Sequence, residues 1–299
     1  MNLLITGAWQ QASQYIPELE TQGHRISFLQ YETGALPCDA AWVEGIIGNG
    51  IFLSHPIECF VNLRYIQLTS AGYDRVPMDY VKSHNITIHN ARGVYSIPMA
   101  EFAVSGVLSL FKETRGFDDS QKRHQWEKRR GLRELHGKTV VIVGCGNVGT
   151  ECAKRFHAFG TKVVGVDLFV REDAHYNAMR ELRSLDETLT EADIVILTLP
   201  LTEETRGLMN ATRLSGMKTG AILVNIARGG VVDEKALIEA LQNHLGGAVL
   251  DVFETEPLAE NSPLWDMPHV IVTPHNSFVG EGNGTRLSQV ILENLKDFS

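Results

Sequence analysis

The segment Gly144-Cys145-Gly146-Asn147-Val148-Gly149 carries a G-x-G-x-x-G spacing, a pattern suited to the pyrophosphate of a dinucleotide. It follows the apolar run Thr139–Val143 and opens the helix-length stretch Val148–Phe159, the strand–turn–helix setting such a loop needs. Each glycine has its own task. Gly144 allows the tight turn, Gly146 lets the backbone approach a phosphate, and Gly149 lets the helix pack closely on the strand. Asn147 and Val148 begin that helix, whose first N–H groups and partial positive charge face the phosphates. The next apolar run ends at Asp167, 18 residues after Gly149. An acid there accepts hydrogen bonds from both hydroxyls of an adenosine ribose and repels a 2′-phosphate, so NAD is favoured over NADP. Arg171 is close enough in sequence to soften that preference.

Such a loop has to be held at the end of a buried strand. From residue 139 the apolar runs Thr139–Val143, Lys162–Asp167, Ile194–Leu199, Ala221–Ile226, Ala248–Val252 and Val270–Thr273 read as strands. Helix-length segments such as Val148–Phe159 and Asp233–Asn243 separate them, which predicts βαβ units and an α/β, doubly wound parallel sheet. Runs this uniformly apolar suit strands with helices on both faces. The first 90 residues are built similarly but more weakly, with Leu3–Thr6, Ile26–Leu29, Tyr65–Leu68 and Thr87–His89 as strands. A long helical pattern runs from about Pro98 to Thr114, beginning at a proline as a first turn allows. The charged segment Asp118–Arg130 breaks the pattern. It reads as a solvated face, a linker, or a surface arm with Trp126 as its one apolar anchor.

The chain has 299 residues, enough for two domains and a sizeable core. Its 27 Lys+Arg against 36 Asp+Glu give a net charge of −9, which argues against a general nucleic-acid binder. No apolar run approaches the length that spans a bilayer, and the N-terminus reads as a first strand, not a signal peptide. Cys38, Cys59, Cys145 and Cys152 are scattered and form no CxxC pair. Neither a metal site nor a disulfide framework is expected, and reduced thiols in a cytoplasmic protein are.

Three further segments carry a resemblance. They are Asn225-Ile226-Ala227-Arg228-Gly229-Gly230-Val231-Val232-Asp233, Leu250-Asp251-Val252-Phe253-Glu254-Thr255-Glu256-Pro257-Leu258 and Thr273-Pro274-His275. Together with the glycine loop they resemble the D-isomer-specific 2-hydroxyacid dehydrogenases, a family that includes phosphoglycerate, glyoxylate/hydroxypyruvate and D-lactate dehydrogenases. Lesser echoes are His136-Gly137-Lys138-Thr139, Leu199-Pro200-Leu201-Thr202, Thr205-Arg206-Gly207-Leu208, Ser70-Ala71-Gly72-Tyr73-Asp74 and the stretch from Asn90 to Glu101.

The resemblance implies two Rossmann-like domains with an interdomain active-site cleft. Residues 1–95 plus 277–299 would form a flavodoxin-like substrate domain and 96–276 the NAD-binding domain. It implies hydride transfer between NAD(H) and a small 2-oxo acid, giving the (R)-2-hydroxy acid, with the reverse also open. Arg228 would bind the substrate carboxylate and polarise the keto oxygen, for which a planar, permanently charged fork is suited. His275 would be the general acid and base. Glu256 would bond the other imidazole nitrogen and favour the protonated ring. Glu254 competes for that role; Glu256 is chosen because it directly precedes the proline. Asp251 would meet the nicotinamide carboxamide, Ile226 and Ala227 would line the ring, and Leu199, Pro200 and Thr205 would also face the cofactor.

Backbone N–H groups of Ser70, Ala71 and Gly72 would help hold the carboxylate, although Ser70 stands where the family commonly has glycine. Each residue also has a plainer reading: Arg228 as a surface arginine, and His275 as one structural histidine among 11. Sister chemistries are formate oxidation, against which Glu256 argues because those enzymes pair the histidine with glutamine, and phosphite oxidation, whose enzymes keep the glutamate. A different class is the NAD(H)-binding redox sensor or co-repressor. The family also implies a homodimer through the cofactor domains, to which Asp118–Arg130 could belong, and domain closure about residues 93–98 and 275–280. With one amphipathic segment, Arg286–Phe298, after the histidine motif, no appended regulatory domain is expected. Arg92, Arg129 and Arg130 could meet a second anionic group, or be solvated surface charges.

Overall fold

The computed structural model describes residues 1–298, so Ser299, the last residue of the expected 277–299 tail, lies outside the described residues. The chain divides into two compact units, Met1–Tyr95 with the stretch from Gly280 onward, and Ser96–Val279. Elements of the first are β1 (Asn2–Thr6), α1 (Ala12–Thr21), β2 (Arg25–Leu29), β3 (Gly45–Gly48), β4 (Tyr65–Leu68), α2 (Met78–Ser83) and β5 (Thr87–His89). The second contains α3 (Ser96–Phe111), α4 (Thr114–Lys122), β6 (Thr139–Val143), α5 (Asn147–Ala158), β7 (Lys162–Asp167) and β8 (Ala178–Glu181). It continues with α6 (Leu185–Leu189), β9 (Ile194–Leu197), α7 (Ala211–Gly216), β10 (Ile222–Asn225), α8 (Glu234–Asn243), β11 (Gly247–Leu250) and β12 (Val270–Val272). The helix α9 (Asn283–Leu295) then belongs to the first unit again. Among the described residues, no helix is long and apolar enough to cross a membrane.

Both sheets are parallel throughout, as an α/β chain requires. The first runs β2-β1-β3-β4-β5, with alternate side chains feeding two faces. Leu4, Ile46 and Ile66 pack with Phe60 and Val81, while Leu3, Ile5 and Ile47 pack with Trp9, Leu19, Leu287 and Ile291. The indole N–H of Trp9 donates to Ser288 Oγ at 2.9 Å, which fastens α9 to the turn after β1. Strand β3 (Gly45-Ile46-Ile47-Gly48) has only two apolar side chains and was not among the expected strands; burial on both sides by its neighbours makes it one.

The second sheet runs β12-β11-β10-β9-β6-β7-β8, so strand order reverses between β6 and β9. Residues 140–143 and 194–197 are fully buried, as strands covered on both faces must be. Edge strand β8 (Ala178-Met179-Arg180-Glu181) is half polar and escaped the apolar pattern for that reason. Helix α3 starts at Ser96, two residues before Pro98, which therefore lies in the first turn where its missing N–H is harmless. The charged segment is not one linker, because its first part is helical to Lys122. Trp126 is 97% exposed, so it anchors nothing among the described residues.

Helix α3 reaches the sheet through Gly106, where a Cβ would stand 2.6 Å from Val249 Cγ1. Gly106→Ala is expected to cost about 1–3 kcal/mol by overpacking. Thermal unfolding would show a lower Tm; an unchanged Tm would mean that the helix can withdraw freely.

Candidate active site

Two groups of residues gather at the C-terminal ends of the second sheet's strands. The first is the glycine loop, at the reversal between β6 and β9, where open α/β sheets take ligands. Gly144 adopts φ +94°, and a Cβ there would meet Leu199 N at 2.7 Å. At Gly149 a Cβ would lie 2.2 Å from Gly144 O, so the helix can close on the strand only with glycine. Gly146 has nothing within 4 Å of its Cβ direction, leaving that face open. Helix α5 begins here without a side-chain cap or an acid in its first turn. Bare N–H groups, an open cradle and close packing fit a pyrophosphate.

Asp167 ends β7 and folds back on this loop. Its carboxylate accepts from Cys145 N at 2.5 Å and from Leu168 N at 2.7 Å. Arg171 donates to Cys145 O at 2.6 Å and to Thr150 Oγ1 at 3.0 Å, so an acid and a base hold the two peptide groups on either side of Cys145. The Cys145 thiol is buried under the turn, and burial pushes its pKa up to about 12. Leu199 is buried and Pro200 exposed. Thr205 is buried too, and its hydroxyl donates to Pro200 O at 2.7 Å while accepting from Thr202 N at 2.7 Å. That hydroxyl therefore knots the 200–205 loop.

The second group follows β10, β11 and β12, adjacent strands that end at one level: Asn225 pairs with Leu250, and Leu250 with Val272. Asn225 is buried and braces the next three residues, accepting from Ala227 N at 3.1 Å and donating to Arg228 O at 3.1 Å. Arg228 is half-buried, and its Nη1 donates to Ala227 O at 2.8 Å. Ile226 and Ala227 are buried beside it. Past Arg228, Gly229 lies against the turn that follows β11. A Cβ there would be 1.8 Å from Phe253 O. The arginine turn and the glutamate turn are thus in backbone contact.

Glu256 accepts from Phe253 N at 3.1 Å through Oε1, and its Oε2 meets His275 Nδ1 at 2.9 Å. Glu254 points elsewhere, accepting from Glu234 N at 3.1 Å at the start of α8. Of the two competing acids, Glu256 is the one at the imidazole. Burial, then the facing Glu254 carboxylate, raises the pKa of Glu234. The 2.9 Å contact uses Nδ1 and leaves Nε2 on the side of the ring away from the glutamate. The Phe278 ring stands edge-on to the imidazole, 6.2 Å between centroids.

Asp251 is fully buried, and Thr273 Oγ1, Asn276 N and Ser277 N all donate to its carboxylate, at 2.6, 2.8 and 2.9 Å. Ser70, Ala71 and Gly72 belong to the other unit, where Ser70 Oγ donates to Gly72 O at 3.1 Å and Asn90 Nδ2 to Ala71 O at 2.6 Å. Asn225, Gly229 and Thr273 were absent from the expected site residues. The signal for the first two was their place around Arg228 directly after an apolar strand; Thr273 had none beyond its neighbour His275.

Residues 104–277 match the NAD binding domain of the D-isomer specific 2-hydroxyacid dehydrogenases. The chain belongs to that family. It is 39% identical over 216 residues to a D-3-phosphoglycerate dehydrogenase of Bacillus subtilis, covering 72% of this chain and 41% of that protein's length. Against the glyoxylate/hydroxypyruvate reductase B of Serratia proteamaculans it is 36% identical over 239 residues, 78% of this chain and 74% of that one. The crystal structure of a D-isomer specific 2-hydroxyacid dehydrogenase family protein from Aeromonas salmonicida superposes with a TM-score of 0.87 at 31% identity, covering 99% and 94% of the two chains.

Gly229→Ala forces the two turns apart, backbone against backbone, and its cost is expected at the upper end of the roughly 1–3 kcal/mol of overpacking. Gly230→Ala meets only the Leu201 and Arg206 side chains, at 3.2 Å and beyond, and should cost less. Denaturant unfolding of both variants checks the order; equal costs would mean that the close approach at Gly229 is relieved elsewhere.

Proposed function

We propose that this chain is an NAD-dependent D-2-hydroxyacid dehydrogenase that reduces a small 2-oxo acid to the (R)-2-hydroxy acid and can run in reverse. The observation that carries the reading is the 2.9 Å contact of Glu256 with His275 Nδ1, in loops that follow strands of the same sheet as the glycine loop. A bound nicotinamide would supply or accept the hydride. Arg228 would bind the carboxylate and draw electron density from the keto oxygen. His275 would give the proton at Nε2 to that oxygen, and in oxidation would take it back. Glu256, held by Phe253 N, fixes the imidazole with Nδ1 as donor, so the working nitrogen is defined before substrate arrives. A carboxylate in that place supports keto-acid chemistry over the glutamine-paired formate type. Asp251, Ile226 and Ala227 would lie on the nicotinamide side of the site.

Asp167 places a carboxylate at the adenosine end and favours NADH over NADPH. Its neighbour Arg171 opposes that preference, so the ratio is expected to be finite. Oxidation of NADH by a panel of 2-oxo acids, repeated with NADPH, tests reaction and cofactor together. His275→Ala should lower kcat/KM by about 10²–10⁴-fold, the usual worth of general acid–base catalysis. A loss of only a few-fold would place proton transfer elsewhere.

A homodimer is also proposed. Trp126 and Phe117 border an open groove of about 730 Å³ beside α4. On the same unit Val104, Leu108 and Phe159 line a second apolar hollow between α3 and α5. A second copy is the occupant suited to both. Wild-type sedimentation as a dimer, weakened by Trp126→Ala, is the expected result, since buried tryptophans dominate interfaces. A wild-type monomer at micromolar concentration would refute it.

A further inference from the structure

His275 holds a backbone conformation that its side chain disfavours. Its φ is +52°, in the left-handed region. A residue with a Cβ is strained there and stays only where its surroundings over-determine it. Much of that constraint on the backbone comes from one residue, Asp251. Asp251 O accepts from His275 N at 2.8 Å. The Asp251 carboxylate accepts on Oδ1 from Thr273 Oγ1 and Asn276 N, and on Oδ2 from Ser277 N. The residues on both sides of the histidine are therefore tied to a single buried group. Thr273 O also accepts from His275 N at 3.1 Å, across Pro274. The other carbonyl near the Thr273 hydroxyl, Leu250 O, is 3.5 Å away, so the carboxylate at 2.6 Å is its acceptor.

We propose that Thr273 and Asp251 form a latch that positions His275, with Thr273 orienting the carboxylate and the carboxylate holding the turn. The latch deepens the dehydrogenase reading and rests on it for its consequence in turnover. It does not compete with a cofactor contact by Asp251. Three donors fill three of the roughly four acceptor sites of a carboxylate. The latch is complete within this chain, so its effect is present in the protein alone.

Thr273→Val removes the hydroxyl at nearly constant volume, and Thr273→Ser restores it. Amide hydrogen exchange at Asn276 and Ser277, and the ¹⁵N signal of His275 Nδ1, are read without substrate or cofactor. In Thr273→Val these two amides should exchange about tenfold faster or more, as the turn opens locally. The Nδ1 signal should lose the signature of its Glu256 partner, while Tm stays near wild type. Thr273→Ser should restore both.

If 2-oxo acids are turned over, kcat should fall about 10²-fold in Thr273→Val, the scale of a misplaced catalytic group. KM for NADH should stay near wild type. Wild-type exchange rates and Nδ1 signal in Thr273→Val would overturn the latch, whatever the kinetics. Loss of the whole fold in that variant moves the test to Asp251→Asn, where the same amides should lose protection selectively and unchanged amides would again overturn it. A wild-type protein inert towards 2-oxo acids would refute the dehydrogenase reading and leave the exchange test intact.

Discussion

Register governs the chemistry of this chain. In the second sheet β10, β11 and β12 are paired so that Asn225, Leu250 and Val272 stand side by side. Parallel strands that end together leave polar backbone groups at one edge, and a buried edge has to satisfy them. Asn225 and Asp251 do so in the rows at and just past that level, and Thr273 donates to the Asp251 carboxylate. Asn225 shapes the arginine turn, and Asp251 with Thr273 shapes the histidine turn. Glu256 then needs only one main-chain donor, Phe253 N, to meet the imidazole. A slip of one residue would turn every one of these side chains to the other face.

The two units share an architecture and differ where it matters. In each, a reversal of strand order opens a crevice at the C-terminal ends of the strands. In the second unit that crevice holds bare N–H groups beside Gly146, with space above them. In the first, a carboxylate is already there. Glu32 accepts from Thr6 Oγ1 at 2.8 Å, Asn49 N at 2.6 Å and Gly50 N at 2.7 Å. Trp9 fills the turn after β1 that a glycine loop would leave open. An internal anion takes the donors that a phosphate would need, which is why one fold supports different surfaces in the two units.

Most of the second sheet was legible as sequence because its strands are buried on both faces, and burial demands unbroken apolar runs such as Val140–Val143 and Ile194–Leu197. The strands that escaped had other reasons to exist. Gly45–Gly48 is a strand through pairing on both sides, and Ala178–Glu181 lies at an edge where polar residues are tolerated. The segment around Trp126 shows the converse: its charge pattern is plain in sequence, but the tryptophan projects from the chain instead of anchoring it.

By itself, the order of residues determined the family, the glycine loop with its acid at Asp167, and the positions of Arg228, His275 and the two acids Glu254 and Glu256, because spacing along a strand or into a helix is a local property. It could not separate Glu254 from Glu256 by mechanism, since both stand in one short turn and only their distant partners differ. Tertiary structure decided that choice by setting Glu234 N against one and His275 against the other. It also decided the roles of Asn225, Gly229 and Thr273. Their importance lies in contacts between turns that follow different strands, and such contacts exist only when the strands stand side by side in register.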